Sequence, residues 1–423
     1  MAAQNKGRRS VLVSTLSIGI VVGASASLSW GAPTPAVSAK PVVCPASPGV
    51  DNTSINVGVI TATSGPSSSS FTGFVEGARL RFAQENAKGG VYGRKLNVTV
   101  YDDQGSGAQQ SSVATKAIQQ DNQFGVVEAS TIDTMMPVFK ASNVPVVGLT
   151  NLPAHGTDRN VFGATGAFAP LYTTTTTAHK LATSGSVAVA VVNHNSPGAQ
   201  AAGAGIVAAL PLENLPLALR ISDAPIGAYD ATSTALRIKQ SGADSVDAIL
   251  TLDGSVSLIT ALAQQGVKLK AFMPAGLSDP LVVAKAPAAL EGAIGATFGT
   301  VPAGVAGRPG LRTFVNGMKV AGANPYAVGS PIGFVSADTF IKGLQLAGKC
   351  PTREGFVSNL RKQTKITGAG MLPEPISYAP GLTPNGNPAR CGWYMTVKNG
   401  VFVPDAQATC GKLVEVATGK IVG

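Results

Sequence analysis

The sequence predicts an α/β protein built from two similar lobes, each with a parallel sheet covered by helices on both faces. Three observations lead to this fold class. From residue 55 onward, short apolar runs alternate with segments of helical period. The short runs are apolar throughout, as strands buried on both faces of a sheet must be. The alternation starts again after residue 170, so we expect two units of the same kind.

The first unit alternates four predicted strands with three predicted helices. Because each helix carries the chain back to the start of the next strand, neighbouring strands are expected to run parallel. The strands are residues 55–60, 95–101, 125–127 and 144–147, and the helices are residues 74–86, 107–121 and 135–142.

The second unit repeats this order, and further helices follow it. Its strands are residues 186–192, 218–221, 247–252 and 270–274, and its helices are residues 173–183, 199–210, 231–241 and 257–265. We interpret the five-threonine run at 173–177 as the start of the first of these helices. Beyond residue 300, helices are predicted at 308–321, 331–347 and 353–363.

The chain ends in a predicted hairpin whose register bears on the cysteines. Asn399-Gly400 separates two apolar runs, which is typical of a type I′ turn. That register places Cys391 opposite Ala408, with Cys410 two residues further along the same face. A small bulge would then bring Cys391 and Cys410 together.

The four cysteines indicate disulfides rather than a metal site, since the chain has no Cys-x-x-Cys pair and no clustered histidines. Three pairings are possible. We favour Cys391–Cys410 on the hairpin, which leaves Cys44–Cys350 to tie down the N-terminal segment. Disulfides persist in oxidising compartments, so this prediction goes together with export.

Residues 1–39 are interpreted as a signal peptide. A positively charged start is followed by the uncharged run 11–30 and by the small-residue pattern Val37-Ser38-Ala39. Cleavage after Ala39 is the favoured interpretation, although an apolar run of about 20 residues can also span a bilayer uncleaved. We therefore expect an exported protein in the periplasm or on the outer face of the cell envelope, with membrane tethering as an alternative.

The composition fits a globular protein of two domains rather than a disordered chain. Of the 423 residues, 44% are apolar and 13% are charged. The formal net charge is +10, and without Lys6, Arg8 and Arg9 of the leader, 29 basic and 22 acidic residues leave +7. No basic run with interleaved aromatic residues follows the leader, so we expect no nucleic-acid partner.

Polar loops of small residues follow the predicted strands at their carboxyl ends, where open parallel sheets bind ligands. Their hydroxyl and amide groups can hydrogen-bond a ligand without reacting with it, although such residues also serve as caps and turns. The loops are residues 61–70, 128–133, 149–153, 193–198, 253–257 and 275–279. From these loops we take as candidate ligand contacts Ser70, His194, Asp253, Gly254 and Ser278.

The sequence offers little for catalysis. Its three histidines, His155, His179 and His194, are not at metal-binding spacing. The glycine-rich segment 198–205 lacks the Lys-Ser/Thr of a phosphate-binding loop, and the segment 276–280 lacks the second glycine of a nucleophile elbow. We therefore predict a protein that is not an enzyme, with no cofactor and no bound metal.

Several motifs resemble the opening of type I periplasmic binding proteins, the family of the leucine/isoleucine/valine-binding proteins. They are Gly65-Pro66, Gly77-Ala78, Tyr101-Asp102-Asp103 and, as the most specific, the run Asn-x-x-Gly-Gly-x-x-Gly at residues 86–93. The glycines of this run end a helix and turn the chain into the next strand. The similarity extends over residues 55–405.

This resemblance implies two Rossmann-like lobes joined by three hinge crossings, near residues 163–170, 298–304 and 366–374. The N-terminal lobe would comprise residues 50–165 plus 302–368, and the C-terminal lobe residues 166–301 plus 369–415. The resemblance also implies a monomer that captures a small molecule by hinge closure and delivers it to the permease of an ABC transporter. A ligand sensor for a membrane signalling partner would share this fold, and an exported enzyme on the same fold is a further alternative.

By the same resemblance, the loops after the third and fourth strands receive the ligand's carboxylate or polar head, through Ser130, Thr131, Thr150 and Asn151. One departure bears on the ligand. Amino-acid binders of this family place an acidic residue after the Phe-x-Pro strand, but Ala275 stands there. Asp253 or Asp279 can replace that acid or can be a turn residue. We therefore expect as ligand an amino acid or a related compound, carboxylate-bearing or neutral.

Overall fold

The structure is a computed structural model that describes residues 44–167 and 171–422. The predicted signal peptide and its cleavage site lie outside the described residues. The strands in chain order are β1 (Ser54–Thr61), β2 (Lys95–Asp102), β3 (Gly125–Ala129), β4 (Val146–Gly148), β5 (Val161–Gly163), β6 (Tyr172–Thr174), β7 (Val189–His194), β8 (Leu217–Ala224), β9 (Ser245–Ile249), β10 (Ala271–Pro274), β11 (Ile294–Ala296), β12 (Cys391–Gly392), β13 (Tyr394–Lys398), β14 (Val401–Pro404), β15 (Thr409–Cys410), β16 (Leu413–Glu415) and β17 (Lys420–Ile421).

Helices alternate with the strands of both parallel sheets, and two short 3₁₀ helices, Ser68–Ser70 and Leu210–Glu213, accompany them. The α-helices are α1 (Phe74–Ala87), α2 (Gly107–Gln119), α3 (Met136–Ala141), α4 (Ala154–Thr157), α5 (Thr176–Thr183), α6 (Pro197–Ala209), α7 (Thr232–Ser241), α8 (Leu252–Gln264), α9 (Pro280–Val283), α10 (Pro287–Leu290), α11 (Pro309–Val320), α12 (Gly329–Ala347) and α13 (Arg353–Leu360).

Two parallel sheets form the centres of the two lobes. The first lobe has five strands in the order β2-β1-β3-β4-β5, and the second has four in the order β8-β7-β9-β10. Every neighbouring pair within these two sheets runs parallel. The first four strands of each lobe have the same order. The first strand in the chain lies between the second and the third, and the fourth lies next to the third. The predicted fold class is therefore confirmed.

The threonine run at 173–177 differs from the prediction of a helix start. Thr173 and Thr174 belong to β6, which pairs with β16 so that Leu413 lies opposite Thr174, and α5 begins only at Thr176. Threonine is β-branched and fits a pleated strand better than a helix. The partner strand comes from the far end of the chain, so the local sequence did not reveal the pairing.

The C-terminal hairpin has the predicted turn. β13 and β14 pair with Lys398 opposite Val401, and φ is positive at both turn residues, 52° at Asn399 and 75° at Gly400. Positive φ at both central positions is what a type I′ turn requires. Glu291 holds the turn, because its carboxylate accepts hydrogen bonds from the backbone N–H groups of both turn residues.

Both predicted disulfides, Cys391–Cys410 and Cys44–Cys350, are present. Cys391 lies directly opposite Cys410, whereas four residues further along the strand Met395 lies opposite Pro404. Between these two pairs, one side of the hairpin advances by four residues, from 391 to 395, and the other side by six, from 404 to 410. These two extra residues form the bulge that the sequence prediction required.

The chain passes from the second lobe to the first near Phe298, whose ring packs against the apolar cores of both lobes. Val301 already lies in the first-lobe core, and its N–H donates to the carbonyl oxygen of Met371 over 2.8 Å. Met371 and Tyr378 belong to the same core, and the Tyr378 hydroxyl donates to the carbonyl oxygen of Gly163 over 2.9 Å. These contacts pack Met371 and Tyr378 in the core that surrounds the first sheet.

Close contact between α1 and α12 gives the Gly77-Ala78 motif a packing role. A Cβ atom on Gly77 would lie 2.0 Å from the carbonyl oxygen of Ser330, and one on Gly333 would lie 2.1 Å from that of Phe74. Any larger side chain at either position would push the two helices apart. The glycines therefore hold α12 against the lobe that carries the first parallel sheet.

Candidate ligand-binding site

A cavity of about 410 Å³ lies between the carboxyl ends of the two parallel sheets. The first lobe contributes residues that follow β1, β3, β4 and β5, and the second contributes residues from β7, β9, β10 and α6. Open parallel sheets bind ligands at this edge. The volume falls within the range usual for small-molecule sites, roughly 300–1,000 Å³.

Four of the predicted contacts line the first-lobe side of the cavity: Ser70, Thr131, Thr150 and Asn151. The Asn151 amide donates to the carbonyl oxygen of Ser130 over 2.7 Å, which sets the orientation of the amide. Its Oδ1 and the Thr131 hydroxyl are buried and have no hydrogen-bond partner among the described residues. Because buried polar atoms in folded proteins nearly always have a partner, these two are available to a ligand.

Thr150 is already bonded within the protein. Its hydroxyl accepts hydrogen bonds from the backbone N–H and from the hydroxyl of Thr165, over 3.1 and 3.0 Å. Thr165 follows β5 and lines the cavity as well. The pair ties the loop after β4 to the chain that leaves the first lobe, so Thr150 shapes this wall of the cavity.

Ser130 does not line the cavity, although the resemblance assigned it a ligand contact. Its hydroxyl donates to Oδ2 of Asp103 over 2.9 Å and accepts from Nε2 of Gln110 over 2.8 Å. All three side chains are buried. This network anchors the loop after β3, and the next residue, Thr131, reaches the cavity instead.

His194 is the predicted contact that the second lobe brings to the cavity. It ends β7 and is buried, and burial lowers its pKa to about 4. The ring is therefore neutral at pH 7 and offers one donor and one acceptor. Its Nδ1 has no hydrogen-bond partner in the described part of the chain. Ser196, two residues on, also lines the cavity and caps α6 by accepting from a backbone N–H of the first turn.

Asp253 and Gly254 do not line the cavity. The prediction treated residues 253–257 as a loop, but β9 ends at Ile249 and α8 begins at Leu252. Both residues therefore belong to the first turn of α8, where the positive end of the helix dipole favours a carboxylate. Leu250, from the short connection before the helix, lines the cavity instead.

Ser278 and Asp279 also lie away from the cavity. The Ser278 hydroxyl donates to the carbonyl oxygen of Tyr326 over 2.9 Å. Asp279 caps α9, and its Oδ2 accepts from the side-chain amide of Asn324 over 2.8 Å. Asp279 therefore does not bring to the cavity the acidic side chain that is missing after the Phe-x-Pro strand. Ala275, at that place, lines the cavity.

Asp247 is the residue that sequence reasoning missed. Within residues 44–167 and 171–422 it is the only acidic side chain that lines the cavity. It lies in the middle of β9 and is only 6% exposed, and burial raises its pKa to about 7. Its Oδ2 has no hydrogen-bond partner among the described residues. The signal was present in the sequence, since a single carboxylate interrupts an otherwise uncharged strand.

The rest of the cavity wall is mainly apolar. Apolar contact supplies most of the binding energy in such sites, while a few polar groups fix the orientation of the ligand. The arrangement therefore suits reversible binding of a small molecule that carries a few polar groups on an apolar body. The larger apolar side chains that line the cavity include Phe71, Leu149, Ile206, Ile249, Met273 and Trp393.

Neither a membrane helix nor a metal cluster occurs in the described part of the chain. No helix within residues 44–167 and 171–422 is long and apolar enough to cross a bilayer. The same residues contain no group of three or more side chains placed to hold a metal ion.

Three solved structures have folds similar to the fold of this chain. The fatty acid ABC transporter substrate-binding protein from Thermomonospora curvata has a TM-score of 0.74 at 17% identity, over 90% of this chain and 97% of that chain. A branched-chain amino acid ABC transporter from Thermus thermophilus with bound valine has a TM-score of 0.72 at 17% identity, over 85% and 97%. A solute-binding protein of an ABC transporter from R. palustris, in complex with benzoate, has a TM-score of 0.70 at 16% identity, over 85% and 97%.

Sequence comparison assigns the family. Curated protein sequences give no significant match. A model of the periplasmic binding protein family, however, matches residues 54–401, which is most of the chain. The resemblance predicted from the motifs near the N-terminus is thereby confirmed. Proteins of this family act outside the cytoplasm, and the two disulfides agree with that location. The chain is therefore a periplasmic binding protein of type I, in the family of the leucine/isoleucine/valine-binding proteins.

Proposed function

We propose that this protein captures a small solute between its two lobes and delivers it to the permease of an ABC importer. One observation carries the proposal. Both lobes bring to one cavity buried polar atoms that have no partner among the described residues: Thr131 and Asn151 from the first lobe, His194 and Asp247 from the second. A solute that bonds to both sides holds the lobes together and stabilises the closed arrangement.

The ligand is a small compound with a polar or carboxylate head and an apolar body. The hydroxyl of Thr131 donates to the head beside Ser70 and Thr150, and the amide oxygen of Asn151 accepts from a hydroxyl or ammonium group of the ligand. Apolar side chains surround the remainder of the cavity. Similar structures hold valine and benzoate, which are both small carboxylates. Because Ala275 replaces the acid of the amino-acid binders, the ligand need not be an α-amino acid.

The lobes move as two bodies about the crossings. We assign residues 50–165 and 302–387 to the first body, and residues 166–301 and 388–415 to the second. The assignment extends the first body beyond residue 368 because of the core contacts of Tyr378. It ends that body near Asn387, since the hydroxyl of Thr176 in the second lobe donates to the carbonyl oxygen of Arg390 over 2.8 Å.

The protein acts as a monomer in this proposal, and its partners are the solute and a membrane permease. It catalyses no reaction and binds no nucleic acid. The small solute is sequestered from water when the lobes close, and the permease distinguishes the closed form from the open one. Cleavage of the leader, or its retention as a membrane anchor, sets whether the protein diffuses or stays tethered.

A thermal-shift screen tests the proposal. The mature protein is heated with amino acids, short organic acids and aromatic acids, one at a time. A ligand that binds only the folded protein raises the melting temperature by mass action, by an amount that grows with its concentration. The proposal predicts such a rise for at least one small carboxylate. It is contradicted if no compound in the three classes shifts the melting temperature.

A pair of threonine variants shows whether the shift comes from the cavity. Thr131→Val removes one hydroxyl from the cavity wall without changing the size of the side chain. The affinity for the hit is expected to fall about tenfold, as for the loss of one hydrogen bond. Thr313→Val is the matched control, because Thr313 is exposed on α11 and does not line the cavity. Equal affinity in both variants would place the binding elsewhere.

A further inference from the structure

Asp247 lines the cavity from within β9 of the second lobe. Its neighbours along β9, Val246 and Ala248, belong to one apolar core of that lobe. The residues directly opposite Asp247 on the adjoining strands, Val191 and Met273, belong to a separate core on the other face of the sheet. The carboxyl group is therefore set among apolar side chains, which is costly unless something pairs with it.

Two hydroxyl groups line the same inner region. Thr177 and Tyr394 both line the cavity, and their hydroxyl oxygens lie 3.2 Å apart. Burial raises the pKa of Tyr394, and the negative charges of Asp247 and Asp405 raise it further, so the phenol stays neutral. The inner end of the cavity thus combines a carboxyl group with two neutral hydroxyls.

No cationic side chain in the described part of the chain pairs with Asp247. No lysine or arginine lines the cavity within residues 44–167 and 171–422. Lys180 lies near the Tyr394 ring, 5.8 Å from its centroid, but its Nζ is paired with Asp405 over 2.7 Å. The Oδ2 atom of Asp247 remains without a partner. A buried acceptor of this kind calls for a donor that comes from outside the protein.

Asp247 also lies deeper than the polar groups at the cavity mouth. It precedes Ile249, the last residue of β9, by two positions, which corresponds to about 7 Å along a strand. Ile249, Met273 and Ile206 line the same cavity. A ligand that reaches this depth must pass through apolar surroundings.

From this geometry we infer that Asp247, Thr177 and Tyr394 form an inner subsite for a hydrogen-bond donor at the far end of an elongated ligand. The ligand has a polar head at the lobe interface, an apolar chain, and a terminal hydroxyl or ammonium group. The inference rests on the proposed function and narrows its ligand class. It places the specificity for the distal group in the second lobe, at Asp247.

Three probes of equal chain length test the subsite: octanoate, ω-hydroxyoctanoate and ω-aminooctanoate. They share the carboxylate head and differ only in the distal group. In calorimetric titrations, the wild type is expected to bind at least one of the two donors about tenfold more tightly than octanoate. Octanoate binding as tightly as both donors would overturn the inference, and so would a lack of binding by all three at millimolar concentration.

Variants at Asp247 identify the group responsible. Asp247→Leu is expected to bind octanoate more tightly than either donor, which reverses the preference. Asp247→Asn keeps an acceptor without the charge, so preference for the hydroxyl probe is retained and preference for the amino probe is lost. Asp253→Leu is the control, since that acid lies on α8 outside the cavity with its side chain 42% exposed.

The outcomes also separate this inference from the proposed function. If Asp247→Leu keeps the wild-type order of affinities, the subsite is refuted. If other carboxylates from the screen still bind and depend on Thr131, the proposed function survives that refutation. Circular dichroism melting of each variant confirms that it is folded, and Asp247→Asn decides the question if the leucine variant does not fold.

Discussion

Oε1 of Glu128 lies 3.0 Å from Nε2 of His155, and both side chains are fully buried in the first lobe. Burial raises the pKa of Glu128, while the nearby His155 opposes that rise. The pair lies under the cavity wall, since Glu128 is on β3 and the loop after β3 carries Thr131. Gly148 makes room for it, because a Cβ atom there would lie 2.1 Å from Oε1 of Glu128.

Loss of this pair is expected to destabilise the first lobe. Glu128→Leu removes the carboxyl group that lies 3.0 Å from the buried His155 ring, so the free energy of unfolding should fall by about 1–3 kcal/mol. Glu128→Gln keeps a polar side chain of the same length and should cost less. Denaturant unfolding of the two variants checks this, and equal losses would contradict the role given to the pair.

Asn151 provides the second prediction. Its amide is oriented by the carbonyl oxygen of Ser130, so its Oδ1 is the atom offered to a ligand. Asn151→Leu removes that acceptor from the cavity wall and should weaken binding of the screen hit about tenfold or more. The measurement is a calorimetric titration of that hit. An unchanged affinity in a folded variant would show that no donor group of the ligand contacts Asn151.

The pH dependence of stability reports on Asp247. Burial raises the pKa of this carboxyl in the folded protein from 3.8 to about 7. The folded state therefore holds the proton more tightly than the unfolded state, and stability falls as pH rises from the lower value through the higher one. Asp247→Asn removes this loss. The free energy of unfolding of the variant, relative to that of the wild type, should therefore rise by on the order of 1 kcal/mol per pH unit between these two pKa values.

Urea unfolding of wild type and Asp247→Asn at several pH values provides the check. The difference in unfolding free energy should be small near pH 4, grow up to about pH 7, and then level off, as the pKa shift requires. A difference that stays constant with pH would mean that Asp247 is not held protonated by burial. All other groups titrate alike in the two proteins and cancel in the comparison.

The two disulfides are expected to contribute unequally. Cys44–Cys350 joins residues 306 positions apart, whereas Cys391–Cys410 joins residues 19 positions apart. In the loop-closure model the longer link lowers the entropy of the unfolded chain more. Its contribution to the free energy of unfolding is therefore larger, by about 2 kcal/mol. Replacing both cysteines of one pair by serine, and then those of the other, tests this by denaturant unfolding. Equal losses would indicate that the unfolded chain retains structure around these links.

The fold was predictable because local signals and packing agree in most of the chain. Short apolar runs between helical segments located all but the fifth strand of the first sheet, and all four of the second. The Asn399-Gly400 turn and the Cys391–Cys410 pair followed from hairpin geometry alone. Pairing between distant segments was not predictable in this way, as β6 shows, since β16 stands at the other end of the chain.

The cavity was predictable only where its residues stand in loops. Thr131, Asn151 and His194 follow or end strands, and strand ends mark the ligand edge of a parallel sheet. Asp253 was assigned to a loop because β9 was predicted to end three residues too late, at residue 252 instead of Ile249. Asp247 stands inside a strand, and only the structure shows that its face of the sheet borders the cavity.

A calorimetric titration of the best hit from the screen into wild type and Ala202→Trp shows whether the solute binds in the cavity between the lobes. Ala202 lines the cavity from α6, so a tryptophan side chain there would occupy the space of the ligand. Val320→Trp is the control, because Val320 is 90% exposed and lies on α11. The prediction is one solute bound per chain by wild type and control, and no measurable binding by Ala202→Trp. Unchanged affinity in a folded Ala202→Trp variant would contradict it.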